Sequence, residues 1–299
     1  MINRAGLGIA CAVAATLFYG LVPNFVRGAL LNGIPALETI AFRTAFIAAV
    51  LALVAGLRRE SFRLPSAARP AFTLQSLATL TVSVGYLASV QFIPVGLAAI
   101  IFYTFPVMIL LAAPLVEGHA PGAKHLLVAL AAFAGLAIAV GPTFESLDVR
   151  GIALALMAAV GCAVQFFSGR ALAHHMTPAA FGSLVHVAVL PVTLALALWG
   201  GNGTLHAANL SAASPVGLGF MLAVGAAYVG GYLSHMFSLR FAPASMVAPY
   251  YNLEPVIATA VAALMLGERL NGNQYVGGGM VLAALVASSW AGSKKDAAS

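Results

Sequence analysis

The chain has 299 residues, of which 62% are hydrophobic and only 7% are charged. Soluble proteins carry about 25% charged residues, and 14 Lys and Arg with 8 Asp and Glu could not cover a soluble domain of this length. The composition therefore indicates an integral membrane protein and excludes a disordered chain, a collagen-like repeat and a disulfide scaffold. The net charge of +6 does not predict a nucleic-acid partner, because loop basicity in a membrane protein reports orientation.

Long apolar stretches between charged residues predict an all-α integral membrane protein with ten transmembrane helices. About 20 apolar residues cross the hydrocarbon core, and these stretches lack the period of two that barrel strands show. In chain order the predicted spans cover residues 5–26, 35–56, two spans within 70–116 divided near Pro94, 125–141, 151–169, 178–199, 215–239, 243–266 and 272–292.

The basic residues predict the orientation of these spans. With a cytoplasmic N-terminus, ten Lys and Arg lie on the inside and three on the outside, with Arg43 inside the membrane. The three outside residues are Arg27, Arg150 and Arg269. Because cytoplasmic loops are enriched in basic residues, both termini are predicted to be cytoplasmic.

The two halves of the sequence resemble each other at slowly increasing offsets. A shift of 143 residues pairs Arg43 with His186, a shift of 146 pairs Tyr86 with Tyr232, and a shift of 149 pairs Pro94 with Pro243. This ordered series predicts a duplication into repeats at 1–144 and 145–299. Five spans per repeat is an odd number, so the second repeat must be inverted. Inverted repeats are a recurring transporter plan, with substrate bound near the midplane at the repeat interface.

Several local motifs carry a family resemblance that extends over essentially the whole chain. They are Tyr250-Tyr251-Asn252-Leu253-Glu254-Pro255-Val256, Leu266-Gly267-Glu268-Arg269, Gln274 with the glycines at 277–279, Tyr103-Thr104-Phe105-Pro106-Val107, and Arg43 early in the second span. With ten short helices in two halves, the chain resembles the EamA-type family of the drug/metabolite transporter (DMT) superfamily. It departs from the family pattern at Val116-Glu117-Gly118-His119, where Gly-Glu-Arg is usual.

The resemblance implies export of small metabolites from the bacterial cytoplasm across the inner membrane. Within the superfamily, the overall similarity and an aromatic-rich candidate cavity resemble the YddG-like aromatic amino-acid exporters. The paired lysines that phosphate-translocating relatives use for anionic substrates are absent from every predicted span.

Three ionisable residues inside the spans are candidates for substrate binding, because charges there are costly and usually face a cavity or a partner. Arg43 and His186 each lie eight residues after a proline, about 12 Å deep at 1.5 Å per residue. Arg43 could bind a substrate carboxylate or tie helix backbones together, and His186 could line the cavity or pack structurally. Glu254 could bind an ammonium group, couple protons, or pair with another helix, possibly through Arg43.

Aromatic residues form the second set of candidates. Tyr86 and Tyr232 are repeat-related, and Tyr103 aligns near Tyr251 and Asn252. Together they could form a wall with ring faces for an apolar side chain and hydroxyls for a polar end. The alternative is that the tyrosines belong to interfacial belts, which are common in membrane proteins.

Five prolines in the paired spans suit helix bends that could act as gates, or else static kinks. These are Pro94, Pro106, Pro243, Pro249 and Pro255.

These observations predict a secondary-active or facilitated exporter of small amphipathic metabolites, amino acids including aromatic ones, working by alternating access. The first alternative is a multidrug or cationic-compound exporter. An integral-membrane enzyme would need a polar catalytic cluster near one interface, and a channel would need a continuous polar stripe, and neither pattern is found. No cofactor and no metal site are predicted. The predicted partners are a small-molecule substrate and membrane lipid, with the protein a monomer or weak homo-oligomer.

Overall fold

The computed structural model describes residues 4–141, 147–200, 214–266 and 269–296, and all regular elements in these ranges are helical. The α-helices are α1 (Arg4–Leu31), α2 (Ala36–Leu57), α3 (Arg69–Ser89), α4 (Val95–Phe102), α5 (Phe105–Val116), α6 (Ala123–Val140), α7 (Val149–His175), α8 (Pro178–Gly200), α9 (Pro215–Phe241), α10 (Ala244–Val247), α11 (Leu253–Leu266) and α12 (Gly272–Asp296). Short 3-10 turns cover Ser66–Ala68 and Ala248–Asn252. The predicted repeat boundary at 144/145 and Glu268 lie outside the described residues.

Eight segments of the described chain are long and apolar enough to cross a membrane. They are Arg4–Leu31, Ala36–Leu57, Ser66–Ser89, Val95–Val116, Ala123–Val140, Val149–His175, Pro178–Gly200 and Pro215–Phe241. These segments coincide in order with the first eight predicted spans, so the all-helical multi-pass architecture is confirmed. The other two predicted spans fall on α10 to α11 and on α12, and they remain predictions as membrane crossings.

The first helix is longer than its predicted span. The prediction ended at residue 26, before Arg27, whereas α1 continues to Leu31. Arg27 is exposed near the end of the helix, and a long basic side chain in that position reaches the interface without ending the helix. Beyond the end, the Asn32 side chain donates a hydrogen bond to the Gly28 carbonyl at 2.8 Å, which satisfies an acceptor of the last turn.

Local capping chemistry fixes the start of α7. The Asp148 side chain accepts a hydrogen bond from the Arg150 backbone N–H at 2.8 Å, as expected of an aspartate N-cap. The Arg150 guanidinium also donates to the Asp148 carboxylate, with Nη2 and Oδ2 2.7 Å apart. These hydrogen bonds hold the pKa of Asp148 below its usual range.

The helix pairs with the most extensive contacts join the two halves of the chain. Helix α1 packs along α9, α3 along α7, α2 along α8, and α6 along α12. The first half contains α1 to α6 and the second half α7 to α12, so each helix has a counterpart six places along the chain. Exchanging every helix for its counterpart turns the pair α1–α9 into the pair α7–α3, and it leaves the pairs α2–α8 and α6–α12 unchanged. The packing therefore follows the same exchange that relates the halves in sequence, and the halves interleave around a shared core.

Small residues allow the closest of these contacts. A Cβ atom built at Gly277 of α12 would lie 2.2 Å from the Gly135 carbonyl oxygen and 2.4 Å from the Ala139 backbone nitrogen of α6. Both neighbours are backbone atoms, so they can move only if the helices separate. Close backbone approach of this kind is the main attraction between helices in lipid, where the hydrophobic effect does not drive association.

This contact predicts opposite effects for two neighbouring glycines. Gly277→Ala should destabilise the protein by about 1–3 kcal/mol, because its methyl group forces α6 and α12 apart. Gly279→Ala is the matched control, since a Cβ there meets no atom within 4 Å. It should be neutral or slightly stabilising, because alanine favours helix over glycine by about 1 kcal/mol. Unfolding in mixed detergent micelles measures both variants, and equal stability of the two would contradict this packing.

Candidate functional site

Arg43 lies on α2 at the centre of a polar cluster. Its guanidinium carbon is 4.1 Å from the centroid of the Tyr228 ring, a cation–π contact. One guanidinium nitrogen, Nη2, donates a long hydrogen bond of 3.4 Å to the Ser83 hydroxyl on α3. Its Nε is buried and has no hydrogen-bond partner in the described part of the chain. The donors of Arg43 are thus only partly used by the protein itself.

His186, the repeat-related partner of Arg43, meets the same tyrosine ring. Its ring centroid lies 5.8 Å from that of Tyr228 and 4.9 Å from that of Tyr232, edge-on to both. His186 is almost fully buried, and its Nδ1 lies 2.8 Å from the Gly182 carbonyl oxygen. Because a carbonyl only accepts, Nδ1 carries the proton in this contact. We call Arg43, His186, Tyr228 and Tyr232 the arginine cluster.

Tyr228 was missed by the sequence reasoning, although it contacts two of the three predicted ionisable residues, Arg43 and His186. A signal for it was available, because Tyr228 lies four residues before Tyr232 on α9. Residues at this spacing share one face of a helix. Ser83 was also missed, and no sequence pattern distinguishes it from other serines in the spans.

Breaks in two of the helical segments position Glu254, the third predicted ionisable residue. Segment 95–116 is divided into α4 and α5 at Tyr103 and Thr104, and segment 244–266 contains a 3-10 turn before α11. Glu254 therefore lies in the first turn of α11. The Glu254 carboxyl lies near the side chain of Tyr103, which is the C-cap residue of α4.

The Tyr103 ring extends this region into further aromatic residues. It packs edge-on against Phe102 with centroids 5.1 Å apart, and Phe102 lies 5.2 Å from Tyr86. We call Glu254, Tyr103, Phe102 and Tyr86 the glutamate cluster. Glu254 and Tyr86 are half-buried, and Tyr103 is buried.

Contacting aromatic rings link the two clusters, and Phe105 completes the series at 5.5 Å from both Phe166 and Phe102. Tyr19 on α1 packs against Tyr228 at 5.9 Å and against His235 at 6.2 Å. His235 in turn lies 4.4 Å from Phe166 and 4.9 Å from Tyr251. Phe166 was missed by the sequence reasoning, because one phenylalanine in an apolar span carries no distinguishing signal.

Tyr251 and Asn252 are placed in the protein core rather than on an open surface. Tyr251 is 2% exposed, and its hydroxyl is 3.5 Å from the Ser238 hydroxyl. Asn252 is fully buried, and its side-chain amide donates to the Pro249 carbonyl at 3.2 Å. Both therefore support the 3-10 turn, while Arg43, Tyr86 and Glu254 are the more accessible of the eight predicted binding residues.

The five prolines predicted to bend helices lie at or beside helix starts. Pro94 and Pro243 directly precede α4 and α10, and Pro106 is the second residue of α5. Pro249 is within the 3-10 turn, and Pro255 is in the first turn of α11. Proline is tolerated in these positions because the first helical N–H groups have no intrahelical acceptor. The prolines therefore mark breaks between short helices.

The charges of the two clusters are not paired with each other. Within the described residues, Arg43 contacts Tyr228 and Ser83, and Glu254 contacts Tyr103, but no ion pair joins them. The hypothesis that Glu254 is neutralised through Arg43 therefore finds no contact here. A basic and an acidic group instead lie at the two ends of a series of aromatic rings.

Comparisons with known proteins agree with this fold. The profile of the EamA-like transporter family matches residues 6–141 and 149–290. The chain belongs to the EamA-like transporter family, within the DMT superfamily. One solved crystal structure superposes on 97% of this chain and 99% of its own length, with a TM-score of 0.82 and 15% sequence identity. At that identity the likeness shows the fold alone. A search of curated proteins returned no match.

Two surface cavities of this EamA-like chain lie away from the two clusters. The larger, of about 660 Å³, lies where the α2–α3 connection meets the start of α8. The smaller, of about 330 Å³, lies beside the end of α5 and is lined by Glu117, Arg170 and His174 among others. None of the eight predicted binding residues lines either cavity.

The contact between Arg43 and Tyr228 can be tested by a double-mutant cycle. Arg43→Met and Tyr228→Leu, alone and combined, should show a coupling free energy of about 0.5–2 kcal/mol, the range of a cation–π contact. Tyr228→Phe keeps the ring and should retain most of this coupling. The measurement is unfolding of the purified protein in mixed micelles, and additive single effects would contradict the contact.

Proposed function

We propose that this EamA-like transporter exports small amphipathic metabolites, specifically zwitterionic amino acids that include aromatic ones. The observation that carries the proposal is the separation of Arg43 from Glu254 by aromatic rings. Each charged group lies inside a predicted span, where a charge without a partner is costly. Because the carboxylate and ammonium groups of an amino acid share one carbon, the ligand would bring its carboxylate to Arg43 and its ammonium group to Glu254 at successive steps of transport, and each would supply a missing counter-charge.

The aromatic rings between the clusters favour an apolar side chain on the ligand. Tyr103 lies near Glu254 and continues into the Phe102 and Tyr86 rings, and Tyr228 borders Arg43. Aromatic faces pack well against a ligand ring, and tyrosine hydroxyls supply hydrogen bonds at its polar end. In this proposal Tyr232 holds His186, which packs against the Tyr228 ring, while Tyr251 and Asn252 hold the turn that presents Glu254.

The proposed transport cycle is alternating access across the bacterial inner membrane. Ten spans in inverted repeats, 1–144 and 145–299, with both termini in the cytoplasm, would place the clusters between the repeats. This architecture is supported by the bias in basic residues, by the matched segments 6–141 and 149–290, and by the exchange of helix pairs between halves. The helix breaks at Pro94 and Pro243 are the proposed gate positions.

A multidrug or cationic-compound exporter is the alternative that a specific contact favours. Glu254 is half-buried, and its carboxyl lies near Tyr103, an arrangement that also suits an organic cation. Arg43 discriminates between the two functions, because a cation gains nothing from a guanidinium group.

The sharpest test uses phenylalanine and two analogues that each lack one charge. Labelled phenylalanine would exchange into proteoliposomes preloaded with unlabelled phenylalanine, in competition with phenethylamine, which lacks the carboxylate, or 3-phenylpropionate, which lacks the ammonium group. Each analogue should compete about tenfold or more weakly than phenylalanine, the usual scale of a charge-assisted hydrogen bond.

Two variants assign the charges to residues. Arg43→Met should abolish the preference for phenylalanine over phenethylamine and leave the preference over 3-phenylpropionate. Glu254→Gln should abolish the preference for phenylalanine over 3-phenylpropionate and leave the preference over phenethylamine. Saturable phenethylamine exchange that needs Glu254 but not Arg43 would favour the cation exporter. Absence of exchange in vesicles shown to be tight would reject the amino-acid function.

A further inference from the structure

Glu117, in the segment where the chain departs from the family pattern, is held by the opposite half of the protein. It follows α5 directly, and its side chain is only 6% exposed. One carboxylate oxygen accepts from the Ala244 backbone N–H at 2.7 Å. The other accepts from the Ser245 hydroxyl at 2.5 Å and from the Ser245 backbone N–H at 3.4 Å. The carboxylate therefore caps the first residues of α10.

Arg170 on α7 completes this set of contacts. Its Nη1 donates to the Leu239 carbonyl at 2.8 Å and also to the Ala242 carbonyl, both at the end of α9. Its Nε lies 3.9 Å from a Glu117 carboxylate oxygen. Glu117 and Arg170 thus satisfy the backbone donors that begin α10 and the backbone acceptors that end α9, on either side of Pro243.

The chain around Pro243 is tightly enclosed by its neighbours. Ala244 is fully buried, and Ser245 is 3% exposed. On the α1 side, a Cβ built at Gly8 would lie 2.5 Å from the Ala242 Cβ. By contrast Val95, which the repeat offset of 149 relates to Ala244, is 62% exposed at the start of α4. The two repeat-related helix breaks therefore differ, and only the one at α10 is enclosed.

We propose that Glu117, Ser245 and Arg170 form an interhelical latch that holds the α5–α10 junction shut at the cytoplasmic end. The proposal rests on the transport function proposed above, because a latch acts by holding one state of a cycle. For that end to open, α10 must leave the carboxylate, and the buried N–H groups must find water instead. Charge-assisted hydrogen bonds are the strong ones, so their loss should shift the equilibrium toward opening.

The test measures opening directly and needs no substrate. Val247, at the end of α10, is fully buried behind the latch, so Val247→Cys provides a reporter thiol. The native thiols are removed by Cys11→Ala and Cys162→Ala. A charged, membrane-impermeant methanethiosulfonate is then applied separately to inside-out and right-side-out vesicles, and the rate of thiol modification is measured.

Glu117→Gln should speed modification from the cytoplasmic face by about tenfold or more, because an amide offers one acceptor oxygen instead of two and turns an NH₂ group toward N–H donors. Ser245→Ala, which removes one hydrogen bond and little volume, should give a smaller increase in the same direction. Glu60→Gln is the matched control. Glu60 accepts a hydrogen bond from Thr177 at the same end of the protein, between α2 and α8, which pack closely together.

Three outcomes would overturn the latch. The first is an unchanged modification rate in both Ser245→Ala and a monodisperse Glu117→Gln variant. The second is an equal increase in Glu60→Gln, which would mean general loosening. The third is faster modification from the opposite face only. Transport is a separate readout. If the protein exchanges phenylalanine but the variants do not change thiol access, only the latch is rejected. If the variants speed thiol modification but the protein does not exchange phenylalanine, the amino-acid proposal is rejected and the latch is retained.

Discussion

The constraint on which this structure depends is that backbone polar groups inside a membrane must be satisfied by the protein itself. Continuous helices meet it automatically, but each break exposes N–H and C=O groups that need other partners. The break at Pro243 is satisfied by two charged side chains, that of Glu117 just after α5 and that of Arg170 on α7. The 3-10 turn before α11 is supported by the Asn252 amide on the Pro249 carbonyl. Polar side chains therefore occur where the helices are interrupted.

These interruptions connect the fold to the proposed function. The break between α4 and α5 places Tyr103 next to Glu254, which follows the 3-10 turn of the other half. Uninterrupted helices would have carried both residues elsewhere on their surfaces. Close packing through Gly135 and Gly277 holds α6 against α12, and these two helices are continuous, unlike the interrupted segments α4–α5 and α10–α11. In the proposed alternating-access cycle, the interrupted segments are the parts that would move.

Much of this could be predicted from sequence, because hydropathy determines which segments enter the membrane. The helical fold, the first eight spans and the family followed from apolar stretches and short motifs. Hydropathy does not determine how each helix is rotated, so Tyr228 and Phe166 were missed although they contact predicted residues. The role of Glu117 also could not be read from its surroundings in sequence, since its partners at Ala244 and Ser245 are more than a hundred residues away.

We propose that Arg43 and Glu254 each bind one charge of the same amino-acid ligand. The most direct measurement is a structure of the protein with bound 4-bromophenylalanine, whose bromine marks the ring. We expect ligand density at one of the two clusters, with the carboxylate at Arg43 or the ammonium group at Glu254 and the bromine among the neighbouring aromatic rings. Ligand density that touches neither charged residue, or that lies only in the surface cavities beside Glu117 or Thr177, would contradict it.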